Sequence, residues 1–213
     1  MNPAPEPTKG EQTRRAILDA AIARFGREGY RSTSVADIAR DAAVGGTVAY
    51  AYFPNKEALF FAAVDEDAAG VIHQGLTTAF AQTHVPNWWQ TLIRTLVGAL
   101  ERHPLARRLL AGLEPDVTGR VLEMPALAEL RKACAEQLRT EQLDGIVRSD
   151  IDVGTMANGI VAIMLSLLMS VVQVGGDAAA LYGDDIAAVF EAAIRRAPAP
   201  RSTRPPRRSR QVG

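Results

Sequence analysis

The sequence predicts an all-α protein, an N-terminal three-helix helix-turn-helix domain followed by a larger helical domain. Two observations carry this. Apolar residues recur at three- and four-residue spacing in segment after segment, each bounded by a capping residue, a proline or a glycine. Residues 33–60, TSVADIARDAAVGGTVAYAYFPNKEALF, read in addition as two short helices joined by a tight turn and run onto a third.

The first helix is expected from Glu11 to Arg27, with Ile17, Leu18, Ala21, Ile22 and Phe25 on one face and Gly29 ending it. Ser34 and Asp37 have the spacing of a helix start, the Ser34 hydroxyl accepting a first-turn N–H. Val35, Ile38, Ala39 and Ala42 then repeat at helical spacing, Val44 plugs the connection, and Thr47 to Phe53 form the second short helix. Pro54, Asn55, Lys56 and Glu57 stop it and begin a long helix reaching about Gln82. Further helices are expected from Pro86–Asn87 to Leu100, from Pro104 to about Leu113 and from Pro125 to about Val147, with the two-proline stretch 114–125 irregular.

Asp152 opens the most apolar stretch of the chain, MANGIVAIMLSLLMSVVQVGG. A bilayer span needs about 20 apolar residues, whereas residues 159–174 supply sixteen, including Ser166, Ser170 and Gln173. The stretch therefore reads as a core helix that also meets a second subunit, not as a membrane span. Residues 184–196 supply a last amphipathic helix with Ile186, Val189, Phe190, Ala193 and Ile194. The expected divisions are a flexible arm (1–10), the helix-turn-helix domain (11–60), a larger helical domain (61–196) and a disordered basic tail (197–213).

A formal net charge of zero conceals three unlike segments. Residues 1–60 carry 8 Lys and Arg against 7 Asp and Glu, residues 61–194 carry 9 against 17, and residues 195–213 carry 7 against none. An acidic body is repelled by nucleic acid, so contacts to DNA are expected at the N-terminal domain, and tail residues Arg201, Arg204, Arg207, Arg208 and Arg210 read either as non-specific phosphate contacts or as a solvated solubilising tail. The single cysteine, Cys134, excludes an internal disulfide framework and reads as a small buried filler. With no basic region and apolar stretch at the N-terminus, the expected compartment is the cytoplasm.

No catalytic constellation stands out. His73, His84 and His103 have no metal-ligand spacing, and the run Asp65-Glu66-Asp67 reads as a solvated helix turn. No nucleophile elbow or phosphate-cradling glycine loop is present, so neither catalytic residues, metal nor cofactor are expected. A small-molecule enzyme without DNA readout, and a helical adaptor that binds only protein, are the alternatives from other classes.

Thr13-Arg14, Ile17-Leu18-Asp19-Ala20-Ala21, Phe25 and Gly29-Tyr30, followed by Tyr50-x-Tyr52-Phe53-x-x-Lys56-Glu57-x-Leu59, resemble the N-terminal domain of the TetR (tetracycline-repressor-like) family of bacterial transcription regulators. The resemblance implies a homodimer joined through its two final helices, a near-palindromic operator in double-stranded DNA, and a small-molecule effector that enters the C-terminal domain and shifts the linking helix. It also implies that Thr33, Tyr52 and Lys56 hold phosphates and that Tyr50 meets the backbone or a base edge.

The expected recognition helix departs from the family pattern. From Gly45 to Tyr52 there is no Arg, Lys, Asn or Gln, so the bidentate pairs with guanine and adenine are lacking. Thr47 is expected to hydrogen-bond a base edge, Val48 or Ala49 to pack on a thymine methyl, and Gly45 and Gly46 to permit close backbone approach. Arg40, Lys9, Arg14 or Arg15 are expected to supply the missing cation. Within the body, His73, Phe80, Trp88, Trp89, His103, Met124, Met156 and Met164 are the residues expected around an effector, and their character favours an apolar one.

Overall fold

The computed structural model describes residues 7–81, 87–116, 123–175 and 177–195. Tail residues 197–213, His84 and the first six residues of the expected arm lie outside the described residues.

Helix α1 (Lys9–Ser32) starts on a capping box in which Thr8 and Glu11 satisfy each other's backbone N–H groups. It runs past the expected end, with Gly29 at φ +83 breaking the helical backbone inside it. Ile17, Leu18, Ala21 and Phe25 form its buried face. Helix α2 (Val35–Asp41) begins on Ser34, whose hydroxyl accepts the Asp37 N–H at 3.1 Å. Its exit passes through Ala43 at φ +54, a left-handed conformation that costs a β-carbon-bearing residue energy, and Val44 returns half-buried to the small core. Helix α3 (Gly46–Tyr52) follows from Gly45 with no side-chain cap. Helix α4 (Lys56–Ala79) is capped by Asn55, which accepts the Ala58 N–H at 2.7 Å.

The remaining helices are α5 (Trp88–Ala99), α6 (Pro104–Leu110), α7 (Pro125–Leu143), α8 (Val153–Val174) and α9 (Asp177–Ile194). Helix α7 ends four residues before the expected Val147, because Gly145 takes φ +74 and turns the chain away. Val147 instead pairs with Arg195 across the last turn of α9. Helix α9 begins seven residues earlier than expected, immediately after Gly175 at φ +114 ends α8, and its alanine-rich start suits a helix.

Helix α8 is long and apolar enough to cross a bilayer on length and composition. In the fold its Val153, Ala157, Ile160, Val161, Met164, Leu167 and Leu168 are buried against the body. The body's apolar core joins α4, α5, α7, α8 and α9, and Cys134 sits within it, fully buried, its thiol pushed up to about 12 by burial. A second apolar cluster holds the N-terminal head together around Ile17, Phe25, Ile38, Ala49, Phe53 and Phe60. That cluster also takes in Leu105, Leu109 and Met124 from the body.

Candidate DNA-reading face and effector cavity

Two buried anchors orient α3. Ala49 and Phe53, four residues apart, point into the head cluster, and the Arg14 guanidinium lies 5.4 Å above the Phe53 ring. The opposite side of α3 is open: Gly46, Thr47 and Ala51 are exposed, Val48 is 39% exposed and Tyr50 53%. Ala49 is therefore unavailable to a partner, which leaves Val48 as the apolar contact of the expected pair. A β-carbon added at Gly46 would meet nothing within 4 Å, so packing inside the protein does not require glycine there.

The other expected DNA contacts stand differently. Thr33 is buried and donates its hydroxyl to the Gly29 carbonyl at 2.8 Å, so that hydroxyl holds the kinked end of α1 and is not presented to a phosphate. Lys56 sits at the start of α4, but its ammonium lies 4.5 Å above the Tyr30 ring and 3.4 Å from the Arg31 carbonyl. Tyr52 is half-buried, with its hydroxyl against the first turn of α1 near Gly10. Arg40 is exposed and donates to Asp37 at 2.9 Å.

Ion pairing within the head goes further. Arg24 makes a two-point contact with Asp41, at 2.6 and 3.0 Å, and also reaches Glu28. Arg15 bonds Asp19 and Glu66, and Arg27 bonds Glu28. The Ser34 hydroxyl, above all, and Arg40 hold the Asp37 carboxyl below the usual range, and the Arg24 contact does the same for Asp41.

In the body, α4, α5, α6, α7 and α8 surround an open-mouthed cavity. Its wall is apolar throughout, including Val71, Leu96, Leu109, Met124, Val161 and Met164. Of the residues expected around an effector, only Met124 and Met164 line it. Trp88 packs against Phe80 with ring centres 5.4 Å apart, and Trp89 meets Phe190 edge-on at 5.4 Å, so these three expected residues build the core instead. Met156 is half-buried against the same core, and His73 is exposed on α4.

His103 has another task. Its Nδ1 lies 2.8 Å from Asp67 Oδ1, while Asp67 Oδ2 accepts the Leu105 and Ala106 N–H groups at 3.0 and 2.8 Å. Asp67 is thus no part of a solvated acidic turn: it is buried in α4 and caps the start of α6. Sequence reasoning missed it because a cap usually lies within three residues of its helix, whereas this one comes from 38 residues away. The far end of α6 is tied to α1, where Glu114 accepts from Arg108 at 2.7 Å and from the Tyr30 N–H at 3.1 Å. Alongside, Gly26 lets α1 approach so closely that a β-carbon there would stand 2.7 Å from the Pro104 side chain.

Residues 17–63, covering α2, α3 and the ends of α1 and α4 that pack on them, match the family model described as bacterial regulatory proteins, tetR family. The head is similar to the N-terminal domain of the TetR family. Solved structures agree in fold over most of the chain. A TetR transcriptional regulator from Chloroflexus aurantiacus is 24% identical, with a TM-score of 0.69 over 89% of this chain and 99% of the other. A TetR-family regulator from Cytophaga hutchinsonii is 20% identical, with a TM-score of 0.67 over 91% and 100%. The fatty acid degradation regulator FadR from Bacillus halodurans is 20% identical, with a TM-score of 0.61 over 75% and 84%. Comparison with curated proteins gives no match. The open side of α3 lies within the residues that match the family model.

Proposed function

We propose that the protein is a homodimeric repressor, released from a near-palindromic operator when a small apolar molecule enters the cavity between α4 and α8. The observation that carries this reading is the sharing of side chains between cavity and head. Leu109 and Met124 line the cavity and also belong to the head's apolar cluster. An occupant that displaces them must repack the core on which α1 and α4 rest. Ligand and DNA then oppose each other reciprocally, because each favours a different arrangement of one packed layer.

An apolar effector follows from the wall, where a polar ligand would lose hydrogen bonds to water without replacement. Dimerisation through α8 and α9 is supported by their outer faces. Gly159, Ala162, Ile163 and Ser166 on α8, with Ala188, Val189 and Ala192 on α9, are exposed and small or apolar. Ser166 and Ser170 donate to carbonyls of their own helix at 3.0 Å, which lets this face lose water cheaply. The proposed compartment is the cytoplasm.

Selection of bound duplexes from a random pool at near-physiological salt tests the reading. Enrichment of one near-palindrome, bound by two copies, is expected. Binding without enrichment that collapses with added salt would refute specific readout.

A further inference from the structure

We propose that α3 reads its operator through thymine methyl groups, with Thr47, Val48 and Ala51 as the specificity-determining residues. The inference rests on α3 being the DNA-reading helix and names the chemistry of that reading.

At about 3.6 residues per turn, Thr47 and Ala51 fall on the side of α3 opposite the buried Ala49 and Phe53, and Val48 and Tyr50 flank them. The outermost groups are therefore the Thr47 γ-methyl, the Ala51 methyl and the Val48 methyls, joined by the Thr47 and Tyr50 hydroxyls. No amide or guanidinium belongs to the helix. Of the neighbouring cations, Arg40 pairs with Asp37, Arg24 with Asp41, Arg15 with Asp19 and Glu66, Lys56 lies over the Tyr30 ring, and Arg14 lies over the Phe53 ring behind α3.

Among the base edges in the major groove, the thymine C5-methyl is the one apolar group, and a methyl-rich surface gains from covering it while a cytosine amino or guanine carbonyl beneath it loses water unpaired. The side-chain-free, unobstructed Gly46 allows the helix start to come close enough for such short side chains to touch the bases. The geometry points to half-sites carrying thymines beneath Thr47, Val48 and Ala51.

The test uses the full chain and the selected operator, with each thymine of a half-site replaced in turn by deoxyuridine, which removes only the C5-methyl. At a contacted thymine the affinity should fall about fourfold, the effect of one buried carbon group. The Val48→Ala variant, with helical content checked by circular dichroism, should lose much of the penalty at one thymine and keep it at the others. Selected half-sites lacking thymine, or uracil duplexes bound as tightly as thymine ones, would overturn the methyl readout while leaving sequence-specific regulation intact. Failure to bind any duplex would overturn both readings.

Discussion

The Asp67 carboxylate and the His103 ring, 2.8 Å apart, lock the linking helix α4 to the start of α6. The second carboxylate oxygen holds two α6 backbone N–H groups that no α6 residue can satisfy. Asp67→Ala should lower stability by about 2–3 kcal/mol in urea denaturation, since it strands two buried donors and the imidazole. Asp67→Asn retains one acceptor and should cost less. Both variants should weaken the effect of ligand on operator affinity more than operator affinity itself.

Close approach of α1 and α6 yields a second expectation. A β-carbon at Gly26 would press on the Pro104 side chain at 2.7 Å and on its backbone at 3.0 Å, and the ring and backbone there have little freedom to yield. Gly26→Ala should therefore destabilise by about 1–3 kcal/mol despite the better helix propensity of alanine. Thermal unfolding measures this, and a stabilised variant would mean that α1 and α6 separate easily.

Gly46 should behave in the opposite way. With φ outside the left-handed region and open space where a β-carbon would stand, Gly46→Ala should raise stability by up to about 1 kcal/mol. Operator affinity should fall, because the added methyl enters the gap between helix and bases. Equal operator affinity in the variant would show that the backbone does not approach DNA at this point.

What could be read from the sequence was what short-range chemistry decides. The Ser34 cap, the Asn55 and Pro104 starts, the Asp152 start and the helical spacing of Ile17 to Phe25 all act within a turn or two, and each of these helices begins within about two residues of where it is expected. Partners distant in sequence were not legible. Nothing in a run of three acidic residues says that Asp67 alone turns inward to α6, and nothing near Arg24 in sequence says that it will reach Asp41. The cavity shows the same limit: aromatic size suggested Trp88 and Trp89, but large rings fill a core, and the wall falls to medium aliphatic residues whose packing leaves space.

Acid should loosen the head through its paired carboxyls. Asp37 and Asp41 are held below their ordinary range, so the stability they confer is complete above the unfolded value of about 3.9 and is lost as pH falls through the lower folded value. Asp41→Asn should be less stable than wild type at neutral pH and should show a shallower acid transition. The two unfolding curves should converge in strong acid, where Asp41 is protonated in both states. Parallel curves throughout would mean that the Arg24 contact adds nothing in solution.

Filling the cavity separates effector binding from DNA binding. Val161 is buried in α8 with its side chain on the cavity wall, and Val161→Phe places a ring in that space without touching the reading face. Overpacking should cost about 1–3 kcal/mol, less where the ring occupies empty volume. The wild-type protein should bind the apolar fluorophore N-phenyl-1-naphthylamine saturably, with bright emission from a dry site, and the variant should not. Operator affinity should be retained in Val161→Phe but should no longer respond to the fluorophore. The physical reason lies in Leu109 and Met124, which a resident ring holds in one packing and a transient ligand would move. If the fluorophore binds both proteins equally, its site lies elsewhere and the cavity is not the effector site.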